Sequence, residues 1–84
     1  SWAAALHNVA MCLRDAGQHN EARAAFQQAL EIRRRALGDA HPDVAATLWE
    51  LARLARDGQG DAAAAKRFAD EARSIFAATL GPSH

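Results

Sequence analysis

The chain has 84 residues, enough for one small domain, with ten basic and ten acidic residues that cancel in formal charge. This balance does not favour a nucleic acid or an anionic membrane as partner, and no apolar run approaches the ~20 residues of a membrane-spanning helix. A single cysteine excludes a disulfide framework within the chain. The alanine-rich composition predicts an all-α fold, and we expect a cytoplasmic protein.

The first half of the chain predicts two helices separated by a glycine. We place the first helix at residues 2–16, because apolar residues recur there with the spacing of one helical face. Gly17 ends it, and a second helix follows at 18–37 and ends at Gly38. The predicted inner face of the first helix comprises Leu6, Val9, Ala10 and Leu13. That of the second comprises Ala22, Ala25, Phe26, Ala29 and Leu30, then Ile32 or Arg33, and Leu37.

The second half predicts two more helices. Pro42 suits the first turn of a helix at 42–57, where its missing N–H would be unpaired in any case. Gly58-Gln59-Gly60 breaks the chain, and Asp61 is a suitable N-cap for a fourth helix at 61–80. The predicted inner face of the third helix comprises Val44, Leu48, Leu51, Ala52 and Ala55. That of the fourth comprises Ala65, Phe68, Ala69, Ala72, Ile75, Phe76 and Leu80, before Gly81-Pro82 ends the helix.

The two halves are near copies of each other. Leu37-Gly38-x-x-His41 returns 43 residues later as Leu80-Gly81-x-x-His84, and Leu6 returns 42 residues later as Leu48. One residue inserted near the Gly58-Gln59-Gly60 break reconciles the two offsets. A chain that nearly repeats at half its length consists of two copies of one supersecondary unit.

The short loops between these helices make successive helices antiparallel neighbours. We therefore predict a single all-α domain at 1–84, built from two helix–turn–helix repeats at 1–41 and 42–84. The four antiparallel helices would form a short right-handed α-solenoid. We expect the domain to be a segment of a longer array.

The repeated sequence pattern resembles that of a known family. The run Ala45-x-Thr47-Leu48-x-x-Leu51-Ala52-x-Leu54, followed by a glycine loop and by Ala72-x-x-Ile75, resembles a tetratricopeptide repeat. The Leu-Gly-x-x-His-Pro ending resembles that of the 42-residue, kinesin-light-chain-like subtype. Leu13 and Ala55 stand where that family usually has tyrosine. The resemblance covers the whole chain and implies protein binding without catalysis.

The resemblance also implies that the first helix of each repeat lines a concave groove for a peptide. Arginines and an aromatic side chain on one face suit a peptide with acidic groups and an apolar anchor. The alternative is an ordinary solvated face, with Trp49 partly covered by a neighbouring helix. The implied groove residues are His7, Asn8, Met11, Arg14, Trp49, Glu50, Arg53 and Arg56.

Other polar and reactive residues indicate no catalytic set, cofactor or metal site. Cys12 corresponds to Leu54 of the other copy, so we expect it to be a buried, small apolar residue. The arginine run 33–35 is expected to be a solvated helix end rather than a phosphate site. The histidines lack metal-ligand spacing, and two of them belong to the turn signature; the four are His7, His19, His41 and His84.

The two ends of the domain predict self-association, because a repeat buries its inner face only against neighbours. We expect a symmetric dimer through like ends, with head-to-tail stacking and helix exchange as alternatives. The residues assigned to this contact are Trp2, Phe68, Ile75, Phe76 and Leu80. Two rivals to peptide binding follow: a stacking unit without its own ligand, or a minimal or engineered repeat protein that only folds or self-assembles.

Overall fold

A computed structural model of the protein describes residues 2–80, except the side chain of Leu80. Between these limits the chain is helical and has no β-strand, which confirms the all-α prediction. The predicted helix stop at Gly81-Pro82 and the turn residue His84 lie outside the described residues. The elements are α1 (Trp2–Asp15), α2 (His19–Leu37), α3 (Pro42–Arg53), a π-helical turn (Leu54–Gly58) and α4 (Ala62–Leu80).

The helices pack as two stacked hairpins. α1 packs on α2, α3 packs on α4, and the hairpins meet chiefly where α2 contacts α3. This arrangement agrees with a helical-repeat solenoid. The largest buried side chains lie at or near this junction, and they are Phe26, Val44, Leu48, Leu51 and Leu54.

Helix starts follow from local capping. The His41 Nδ1 atom accepts a hydrogen bond from the Asp43 backbone N–H at 3.0 Å, directly before α3. This contact confirms a structural role for His41 in the turn. Asp61 caps α4, since its Oδ1 atom accepts from the Ala64 N–H at 3.1 Å. That backbone hydrogen bond is the main cause of the lowered pKa of Asp61.

The extra residue of the second repeat is accommodated in the π-helical turn. The Gln59 N–H donates to the Leu54 carbonyl oxygen at 3.1 Å, a spacing of five residues instead of the four of an α-helix. In the first repeat α1 ends at Asp15, before Gly17 with a φ of +81°. There the Gln18 N–H donates to the Leu13 carbonyl oxygen across five residues, whereas the equivalent hydrogen bond of the second repeat, from the Asp61 N–H to the Ala55 carbonyl oxygen, spans six. The wider turn absorbs the insertion while Leu54 stays buried in the core.

Three predicted inner-face positions are wrong. Val9 is 51% exposed, and Cys12 and Leu37 are exposed as well. The physical reason for the first two is that no described helix lies across this side of α1. Their counterparts on α3, Leu51 and Leu54, are buried because α2 packs against α3. Sequence similarity between the repeats therefore predicted a burial that no helix among the described residues provides.

The arginine run at the end of α2 is also not a simple solvated helix end. The Arg33 Nη1 atom donates to Thr47 Oγ1 on α3 at 2.7 Å, and Thr47 is fully buried. Arg34 forms an ion pair with Glu71 on α4. Only Arg35 behaves as expected, being exposed beside Glu31 of its own helix. The first two arginines thus join α2 to the second hairpin.

A tight contact at the π-helical turn yields a testable prediction. A Cβ atom added to Gly58 would lie 2.5 Å from the His19 Nδ1 atom, and Gly58 has no positive φ that would oppose a side chain. Gly58→Ala should therefore lower the free energy of unfolding by about 1 kcal/mol or more through overpacking. In a His19→Ala background the same change should raise it by about 0.5 kcal/mol, because alanine restricts the unfolded chain. Urea unfolding followed by circular dichroism measures both.

Gly17→Ala is the matched control for this experiment. Gly17 has open space around it but a φ of +81°, so alanine is strained there whatever residue stands at position 19. Its destabilisation should be equal in the two backgrounds. If Gly58→Ala changes stability with the same sign in both, the His19 contact does not explain why position 58 is glycine.

Candidate functional site

A cleft of about 280 Å³ lies where the two repeats meet at the ends of α1 and α3. The extra residue of the second repeat shapes it, because the π-helical turn places Asp57 and Gly58 beside His19 at the start of α2. We call this site the inter-repeat cleft. Its lining residues are Arg14, His19, Arg53, Leu54, Asp57 and Gly58.

Glu50 links two arginines at this cleft. The Arg14 Nη1 atom donates to Glu50 Oε2 at 2.7 Å, and the Arg53 Nη1 atom lies 3.6 Å from Glu50 Oε1. The first pair is short, and both side chains are largely covered, whereas the Arg53 side chain is 54% exposed. Arg14 and Glu50 therefore hold α1 against α3, and Arg53 presents its guanidinium to solvent.

Arg56 is occupied by its chain neighbour. Its Nε and Nη2 atoms donate to the two carboxylate oxygens of Asp57 at 2.9 and 3.3 Å. This bidentate hydrogen bonding is the main cause of the lowered pKa of the Asp57 carboxyl group. Arg56 lies outside the lining of the inter-repeat cleft.

The predicted groove residues of α1 divide between the core and the surface. The His7 ring meets the Phe26 ring edge-on, with centroids 5.3 Å apart, and Met11 packs against the core. The His7 Nδ1 atom is buried and has no hydrogen-bond partner among the described residues. Burial first, and then the charge of Arg33, lower the pKa of His7. Asn8 is exposed and lines none of the clefts described here.

Trp49 lies on a different surface from Arg14. Its side chain is 41% exposed and borders two adjacent grooves between α3 and α4, which we call the α3–α4 face. One groove is formed mainly by small side chains and is lined by Trp49, Ala52, Arg53, Arg56, Ala62, Ala65, Lys66 and Ala69. The other is lined by Ala46, Trp49, Glu50, Arg73 and Phe76.

The predicted peptide site is therefore two sites that share Arg53. Arg14 and Arg53 line the inter-repeat cleft, whereas Trp49 and Arg56 line the α3–α4 face. Sequence reasoning did not assign His19, Asp57 or Gly58 to a site. The available signal was the one-residue insertion at the break that begins with Gly58, since an insertion there alters the turn facing the start of α2.

Comparison with known proteins identifies the architecture. The family model of the tetratricopeptide repeat matches residues 3–84. The chain belongs to the tetratricopeptide repeat family. Tetratricopeptide repeats generally mediate protein–protein interaction and are a non-enzymatic fold. No curated protein matches the chain.

Within residues 2–80, this tetratricopeptide repeat protein contains no cluster of three His, Cys, Asp or Glu side chains placed to hold a metal ion. The same part of the chain has no helix that is both long and apolar enough to cross a membrane.

The buried His7 makes stability depend on pH. Its pKa is lower in the folded protein than the ordinary value of 6.5, so the unfolded chain binds this proton more tightly. The stability that neutral His7 contributes is complete above pH 6.5 and is lost as the pH falls below that value. His7→Gln should therefore show a smaller loss in the free energy of unfolding between neutral and mildly acidic pH than the original protein does.

Urea unfolding at a series of pH values measures this difference. Asn8→Gln serves as a control, because it changes the adjacent exposed residue of α1 and leaves His7 in place. It should retain the pH dependence of the original chain. If the free energy of unfolding depends on pH in the same way in the original chain and in His7→Gln, His7 is not the source of the pH dependence.

Proposed function

We propose that this protein binds an acidic segment of another protein in the inter-repeat cleft, with Arg53 as the ionic contact. The observation that carries the proposal is the unequal engagement of the arginines around Glu50. Arg14 is held at 2.7 Å and Arg56 forms two hydrogen bonds to Asp57, but the contact of Arg53 with Glu50 is 3.6 Å long. A charge-assisted hydrogen bond is normally shorter than 3 Å.

Arg53 therefore has donor capacity to offer a partner. A guanidinium carries five N–H donors in a planar fork that matches a carboxylate, and the Arg53 side chain is more than half exposed. A carboxylate in the cleft would also lie near the start of α2, whose positive helix end favours negative charge. His19, the first residue of α2, lines the same cleft.

The remaining lining suits a short backbone segment. Leu54 provides an apolar floor, and Gly58 leaves no side chain at the edge beside His19. Asp57 stands opposite as a hydrogen-bond acceptor, partly satisfied by Arg56. An extended peptide with one carboxylate for Arg53 and a backbone or side-chain donor for Asp57 fits this arrangement best.

Binding of labelled acidic peptides, measured by fluorescence anisotropy, tests the proposal. Arg53→Glu should weaken binding about tenfold or more, since it replaces attraction by repulsion at the ionic contact. Arg35→Glu is the matched control: it makes the same charge change on an exposed arginine at the far end of α2 and should leave affinity nearly unchanged. Equal affinity for the original chain and Arg53→Glu would refute the site.

We also propose that the chain belongs to the 42-residue, kinesin-light-chain-like subtype and works in the cytoplasm as part of a longer array. The support for the subtype is the repeated Leu-Gly-x-x-His ending and the cap that His41 provides for α3. That cap explains why a histidine recurs at this place in the repeat.

A further inference from the structure

The two repeats correspond residue by residue, so each contact between them can be transferred along the stack. The offset is 42 residues between α1 and α3, as for Leu6 and Leu48, and 43 residues between α2 and α4, as for Leu37 and Leu80. The intrachain junction between the hairpins therefore specifies which residues would form the next junction at either end.

One side of the intrachain junction is an apolar stripe on α3. Val44, Thr47, Leu51 and Leu54 are buried in the core. Their counterparts on α1 form a row of uncharged residues on one face, which we call the α1 stripe: Trp2, Ala5, Val9 and Cys12. All four of these residues are exposed, Trp2 by 72%.

The other side of the junction is the surface of the first repeat that faces α3. Ala22, Phe26 and Leu30 belong to the same core cluster as the α3 stripe, and Arg33 hydrogen-bonds Thr47. His7 packs on Phe26 at the edge of this surface. The counterparts of these five residues in the second repeat are Trp49, Ala65, Ala69, Arg73 and Phe76. All of them line the grooves of the α3–α4 face.

We propose that, where no flanking repeat covers these faces, two copies of this chain associate head to tail, with the α1 stripe of one copy packed on the α3–α4 face of the other. The second copy is the occupant because its stripe continues, position by position, the junction that already joins the two hairpins. The α1 stripe carries no charge, so it brings no like charge against Arg53 or Arg73 of the opposite face.

Where a residue on one face differs from its counterpart in the intrachain junction, the residue that would meet it on the other face differs as well. The hydrogen-bonded pair Arg33 and Thr47 of the intrachain junction becomes Phe76 and Ala5 between copies, a polar pair replaced by an apolar pair. The ion pair of Arg14 with Glu50 becomes Arg56 with Asn8, whose amide oxygen accepts a hydrogen bond from a guanidinium. These two pairs therefore remain compatible in the proposed contact.

The same comparison argues against a symmetric dimer through the last helix. Of the residues assigned to self-association from sequence, Ile75 is only 9% exposed and belongs to the core, and Phe68 is partly buried beneath the Arg23 guanidinium. Trp2 and Phe76 lie on the two complementary faces, and the side chain of Leu80 lies outside the described residues. A head-to-tail pair still presents one free α1 stripe and one free α3–α4 face, so assemblies should grow beyond the dimer with concentration.

Complementary variants test the orientation. Val9→Glu spoils the α1 stripe and leaves the α3–α4 face intact, whereas Trp49→Glu does the reverse. Light scattering after gel filtration should show growing assemblies for the original 9.0 kDa chain and association weakened at least about tenfold in either variant. A mixture of the two variants should form a one-to-one heterodimer that does not grow. The intact α1 stripe of Trp49→Glu would bind the intact α3–α4 face of Val9→Glu, and no second intact pair of faces would remain.

Gln27→Glu is the matched control, since it adds the same charge at an exposed position of α2 outside both faces and should assemble as the original chain does. Ala65→Glu, which introduces a charge among the small side chains of the α3–α4 face, replaces Trp49→Glu if circular dichroism shows that the latter does not fold. A monomeric original chain at every concentration would overturn the proposal. So would a Val9→Glu variant that still self-associates, or a mixture of folded variants that stays monomeric. Because Arg53 lines both sites, peptide binding is measured at a concentration at which the chain is monomeric, so that either proposal can fail alone.

Discussion

The packing of α2 across the apolar stripe of α3 holds the two hairpins in one body. Leu51 and Leu54 lose almost all of their exposed surface there, and each buried leucine contributes about 1.5–3 kcal/mol relative to solvent exposure. Phe26 fills the same junction from the first repeat. A repeat buries its apolar surface against its neighbour, so this contact covers one apolar face of each hairpin.

Polar contacts set the register of that junction. Arg33 reaches buried Thr47, Arg34 pairs with Glu71, and Arg14 pairs with Glu50. Arg23 also contacts Gln59 and Asp61, so four arginines of the first repeat contact the second. The residues at the equivalent positions of the second repeat are Phe76, Ala77, Arg56 and Lys66. The second repeat thus keeps two of these four positive charges.

The one-residue insertion connects the fold to the proposed binding site. Without the π-helical turn, α3 would end as α1 does, and neither Asp57 nor Gly58 would reach over His19. The turn thus creates the outer wall of the inter-repeat cleft, while Arg53 and the α3 stripe stay in α-helical register. Single π-turns often lie at functional sites for this reason, because they redirect side chains locally without moving the helix that carries them.

The sequence by itself determined the helices, their caps and the repeat. These features are local: the periodicity of apolar residues, Pro42, Asp61 and the recurring Leu-Gly-x-x-His pattern. Local backbone preferences are sufficient to determine where the helices begin and end. The buried face of α3 was also predictable, since a neighbour exists on both sides of it. Only the tertiary structure decided the exposure of Cys12 and Val9, the partners of Arg33 and Arg34, and the separation of Trp49 from Arg14. Those properties depend on which helix lies opposite a given face, and equivalent residues of two repeats differ when a helix packs against only one of them.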